Sequence, residues 1–178
     1  MANPKDYYKG KPIITPNKDG SFENNLLIGE GINVIGGGNT VIGLGASVAN
    51  ANDNYSEGSG VAIGVVAKAN GYNSVAVGTG AAARTTYSVA IGGAANVNDI
   101  SPESIAIGSS ANVYNSYGVS MGHNSNNNGW GVTIGHSAWT ANDAVAIGCS
   151  AGADGYGLAL GNNAYAENGN ITLKSGNV

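Results

Sequence analysis

A five-residue phrase recurs along this chain at nearly constant spacing, and a chain written in that way has few ways to fold. Its clearest form is Ser88-Val89-Ala90-Ile91-Gly92. Versions ending in glycine close at Gly29, Gly43, Gly64, Gly78, Gly92, Gly108, Gly122, Gly135, Gly148 and Gly161, and a degenerate last copy, Ile171-Thr172-Leu173-Lys174, puts lysine in the glycine slot. Successive spacings are 14, 21, 14, 14, 16, 14, 13, 13, 13 and 13 residues. A short fixed period makes each unit one coil of a solenoid, stable only when stacked on its neighbours.

Aligning the copies on the landmark glycine exposes columns. Three residues before it stand Val61, Val75, Val89, Ile105, Val119, Val132, Val145 and Leu158; one before it stand Ile63, Val77, Ile91, Ile107, Met121, Ile134, Ile147 and Leu160. Between them lies a small residue, most often alanine: Ala62, Ala76, Ala90, Ala106, Ala146 and Ala159. Alternation of this kind is a β-strand. The expectation is that the branched columns turn into the coil and the alanine column faces outward. A second strand follows, with small residues three and five after the glycine, such as Ala67 and Ala69 or Ala81 and Ala83, also expected inside. The coil after Gly122 breaks the pattern with Ser125 and Asn127, an expected weak rung or one filled by amides or water.

Corners are expected at the landmark glycine and seven residues beyond it, where Gly36, Asn50, Gly71, Thr85, Asp99, Asn115, Gly129, Asn142, Gly155 and Asn168 stand, nine of the ten being Gly, Asn or Asp. Gly, Asn and Asp tolerate positive φ better than other residues. Two strands and two corners make a flattened roll. The 21- and 16-residue spacings place insertions around 49–59 and 99–103, expected to loop outward. The fold expected is therefore all-β: a single-chain parallel β-solenoid of about ten coils of 13–14 residues, roughly 50 Å long at the usual strand spacing.

Residues 1–25 read differently from the roll at 26–178. Pro4, Pro12 and Pro16 and four of the seven basic residues (Lys5, Lys9, Lys11, Lys18) fall there, with Tyr7, Tyr8, Ile13, Ile14 and Phe22 as apolar points on an extended track. The expectation is an arm that orders by lying on a partner, with those five residues as attachment points. A formal net charge of -4 and the absence of a basic run exclude a nucleic-acid footprint. No stretch of about eighteen apolar residues offers a membrane-spanning helix, and a lone cysteine excludes an internal disulfide framework.

The motifs NSVAVG (73–78), YSVAIG (87–92), ESIAIG (103–108) and AVAIG (144–148), with the small-residue pairs that trail them, resemble the YadA-like head repeat of trimeric autotransporter adhesins. The resemblance implies a left-handed parallel β-roll in which three chains form one head that binds host matrix proteins or surfaces. It implies a homotrimer, and a column of small residues permits close approach of sister chains, so Ala62, Ala76, Ala90, Ala106, Ala146 and Ala159 are the expected contact. Signal peptide, stalk heptads and membrane anchor are not seen in this sequence. Met1, the extended arm and an end soon after the last coil favour a phage virion fibre or capsid-decoration (head fibre) protein, joined through its arm to a capsid or tail protein. The alternative is the head of a bacterial adhesin, at the bacterial cell surface rather than the virion surface.

No carboxylate pair stacks in one column, no phosphate-cradling loop is present, and neither an enzyme nor a cofactor is expected. His123, His136 and Cys149 follow their glycines in successive coils and should stack; they are weak candidates for a metal, and none is expected to be held. Trp130, Trp139, Tyr165 and Tyr55 are the candidates for glycan or surface contact, since exposed rings beside amides suit sugars. Partners expected outside the trimer are a bacterial surface glycan or a host matrix protein.

Overall fold

A computed structural model describes residues 13–14, 25–35, 37–48 and 59–175. The described residues form strands and turns with no helix, and so none long and apolar enough to cross a membrane. The strands lie in two sheets. One of twelve strands runs from Ile13–Ile14 and Leu26–Ile28 through Val61–Ile63 to Ile171–Leu173; the other, of ten, runs from Asn33–Val34 to Tyr165–Ala166. Each coil contributes one strand to each, giving a parallel β-solenoid of about ten coils.

Register follows the repeat. Val75, Val89 and Ile105 are Cα partners across three coils, as are Ala76, Ala90 and Ala106, and Val77, Ile91 and Ile107. Ladder bonds continue through the corners, where the Gly78 N–H donates to Ile63 and the Gly92 N–H to Val77, both at 2.8 Å. Ile13–Ile14 alone pairs antiparallel, against Leu26 and Leu27, at one end of the first sheet.

The faces are inverted from the sequence expectation. Ala62, Ala76, Ala90, Ala106, Ala146 and Ala159 are fully buried inside the coil, together with Ala67, Ala69, Ala81, Ala83, Val97 and Val113. The branched residues point out: Ile91 and Ile147 each keep 38% of their surface exposed. The lumen is narrow: alanine fills most of its levels, and the largest aliphatic side chains wholly inside it are Val41, Val48, Val97 and Val113. The six alanines are therefore unavailable as a contact between chains.

A further buried column lies four before the landmark glycine: Ser74, Ser88, Ser104, Gly118, Gly131, Ala144 and Gly157. The serines close the second corner, Ser74 donating to the Gly71 carbonyl at 2.7 Å and Ser88 to that of Thr85 at 2.5 Å. This corner is also where coils change length. Five positions separate Val113 from Gly118, but four separate Asn127 from Gly131.

Among the described residues the expected left-handed position, seven after the glycine, holds at Asn142, Gly155 and Asn168 (φ 55°, 53° and 53°), and not at Gly129, whose coil is as short. In longer coils the left-handed residue is later, at Asn73, Tyr87, Glu103 and Tyr117 (φ 49° to 58°). There the turn is set by the buried residue that immediately follows, so it counts back from the next phrase.

The coil after Gly122 is polar and fully bonded inside. The Asn127 side-chain amide donates to Val119 O (3.1 Å) and Gly131 O (2.5 Å) and accepts from the Gly129 N–H (3.0 Å). Ser120 and Ser125 hydroxyls share a 2.8 Å bond, and Thr133 and Thr140 a 2.6 Å bond. This block divides the aliphatic lumen into a cluster ending at Val113 and another beginning at Ala144.

Candidate functional site

Two outer faces are left, and they differ in chemistry. The first sheet presents the branched columns one above another, from Leu26 and Ile28 through Val75 and Val77 to Ile171 and Leu173, the last two about 70% exposed (69% and 71%). No cation interrupts this face between Val61 and Leu160. A continuous apolar stripe of that length exceeds what a solitary water-soluble chain ordinarily exposes.

The second sheet is polar and aromatic. Outward positions four after the glycine hold Asn112, Asn126, Trp139, Gly152 and Tyr165 in adjacent register. Trp139 and Tyr165 stand two coils apart, yet their ring centroids are 5.9 Å from each other. Gly152 between them makes this possible, because a methyl group there would lie 2.6 Å from the Trp139 indole. The Tyr165 hydroxyl donates to Glu167 Oε2 at 2.9 Å, and this bond to a carboxylate pushes the phenol pKa up. On the other side of Trp139 a groove is lined by Tyr114, Asn126, Asn128, Thr140 and Ala141. Sequence reasoning missed Tyr114, Asn126 and Asn128; the signal was present in the outward positions that flank the buried Val113 and Asn127.

Trp130 stands apart from this pair. It lies at the second corner, 63% exposed, edge-on to Tyr117 with centroids 5.9 Å apart. Tyr55, Tyr7, Tyr8 and Phe22 lie outside the described residues. Of Ile13 and Ile14 the described feature is their backbone pairing with Leu26 and Leu27.

His123, His136 and Cys149 do stack at the first corner. The imidazoles are nearly parallel with centroids 5.1 Å apart, and Cys149 Sγ is 3.9 Å from His136 Nδ1. All three are exposed. Among the described residues no group of three or more His, Cys, Asp or Glu is placed to hold a metal ion.

The stacked VAIG-type strands, small-residue lumen and glycine corners have a counterpart among known families. The family model for the YadA head domain repeat (2 copies) matches residues 58–81, 69–95 and 102–125. YadA head domain repeats are thus present within residues 58–125. Among curated proteins, none matches the sequence. YadA head repeats are structural adhesin units displayed at a surface, and their matched stretch covers the coils in which alanine fills the lumen and valine or isoleucine faces out.

Proposed function

We propose that the chain is a non-enzymatic structural and adhesion protein in which three copies pack the branched faces of their first sheets around a common axis, leaving the second sheets outward as attachment surfaces. The apolar stripe carries this reading: Ile91, Met121 and Ile147 are each more than a third exposed in one chain, and a symmetric assembly would bury both branched columns at once. The number three comes from the trimeric heads in which YadA repeats occur.

The setting we propose is a virion fibre or capsid-decoration protein, attached to a capsid or tail protein through residues 1–25 and projecting the roll toward a surface. The concentration of four of the seven basic residues and three of the four prolines in that segment supports an attachment arm. The second reading is the head of a bacterial trimeric adhesin that binds host matrix proteins, which the family match itself supports. A protein inventory of purified phage particles, beside one of the bacterial envelope from the same culture, separates them. Recovery with the particles supports the fibre reading; recovery only with the envelope replaces it with the adhesin reading.

A further inference from the structure

We propose that the groove between Tyr114 and Trp139 on the second sheet is a binding site for an uncharged saccharide of the hexose or N-acetylhexosamine class. The proposal rests on the reading of the second sheet as the outward attachment surface and gives that surface a ligand.

The groove is built by three consecutive coils. Tyr114 rises from one, Asn126 and Asn128 form the floor from the next, and Trp139, Thr140 and Ala141 come from the third. Two strand spacings, about 9.5 Å, separate the outer coils, room for one pyranose ring lying against an aromatic wall. Tyr114 and Trp139 are 38% and 39% exposed, so each is held by the sheet yet offers ring surface. The C–H bonds on one side of a pyranose stack on such rings, while its hydroxyls need neutral donors and acceptors.

The floor supplies these. Asn128 is oriented by Asn115, whose Nδ2 donates to the Asn128 backbone carbonyl at 3.1 Å and to its Oδ1 at 3.4 Å, leaving the Asn128 NH2 facing other partners. The Asn126 side-chain amide makes no hydrogen bond within the chain among the described residues, and it lines the same groove.

Charge selects among ligands. No Lys, Arg, Asp or Glu lines the groove, and the basic residues of the described roll, Lys68, Arg84 and Lys174, belong to coils outside the three that build it. Sialylated or uronic-acid chains, nucleic acid and acidic peptides therefore find no counter-charge. On the far side of Trp139, Tyr165 braces the indole and Glu167 holds the phenol, which fixes one wall in place before a ligand arrives.

The test is titration of the full chain with maltotetraose, mannotetraose and chitotetraose, read by tryptophan fluorescence and saturation-transfer NMR, with mass in solution measured on the same samples. The expected result is saturable binding of at least one of the three. Trp139→Ala and Asn126→Ala should each weaken it about tenfold or more, while Trp130→Ala, outside the groove, leaves it unchanged. A melting curve for each variant shows that the roll is intact. Three results overturn the proposal: no binding of any of the three by an intact trimer, binding indifferent to Trp139→Ala, or competition for the groove by a collagen peptide but by none of the sugars. A monomeric sample that still binds sugar at Trp139 sinks the trimeric reading and spares the groove.

Discussion

A methyl group on Gly92 would lie 2.5 Å from the carbonyl oxygen of Gly108 in the next coil, and the backbone there has φ 131°. Only glycine meets both demands, the close approach and the φ, so the landmark column marks where coils touch backbone to backbone. Gly92→Ala should cost about 3 kcal/mol, from combined strain and lost ladder bonding, read as a lower melting midpoint. Tyr165 offers a different residue-scale check. Its phenol donates to Glu167, which stabilises the protonated form and raises the pKa. Glu167→Ala should bring the Tyr165 titration down toward the ordinary phenol range, followed by the shift of its ring carbons with pH. An unmoved titration would mean that the bond does not persist in solution.

At the scale of the strand, the informative contrast is between Ala90 and Ala94. Ala90 is completely buried between the sheets, whereas Ala94 is exposed at the first corner with φ 55°. Leucine at position 90 overpacks a lumen built for alanine and should destabilise by more than about 3 kcal/mol; leucine at 94 should stay within about 0.5 kcal/mol. The polar block gives a second test. Thr133 and Thr140 satisfy each other inside the coil at 2.6 Å. Because Thr133 also donates to the Asn126 carbonyl at 3.5 Å, Thr133→Val alone should cost about 1–2 kcal/mol by stranding the Thr140 hydroxyl, and the double Thr133→Val, Thr140→Val variant should recover much of that loss in chemical denaturation.

Over the whole molecule, stacking was legible because equivalent positions repeat: the partners of Val89 could be named from spacing alone, and Val75 and Ile105 are those partners. The insertion at 99–103 was legible for the same reason, with Asp99 and Ile100 exposed, while 49–58 lie outside the described residues. The inside of the coil was not. Alternation defines two faces without saying which is buried, and ranking by hydrophobicity chose Val89 and Ile91 over Ala90. Small residues on the second strand, such as Ala81 and Ala83, leave room opposite for either face, so they did not decide it. The serines of the YSVAIG and ESIAIG phrases were passed over because their role, closing a corner through a carbonyl, has no hydrophobic signature. The groove at Tyr114 was hidden because its residues come from three coils and share no motif.

Under the trimeric proposal this inversion moves the contact between chains from the alanines to Val89, Ile91 and their equivalents, with the apolar side facing sister chains and the polar, aromatic side facing outward. Ile91→Lys should dissociate the assembly, whereas Asn96→Lys on the second sheet should not, since that side stays outward; size-exclusion profiles of the two variants decide this. The most direct test is the mass of the unmodified protein by sedimentation equilibrium. One chain is 17.6 kDa, and three give 3 × 17.6, about 53 kDa. A single species near that mass across a wide concentration range is the expected result; a stable, well-folded species at the mass of one chain would contradict the buried branched face and the role drawn from it.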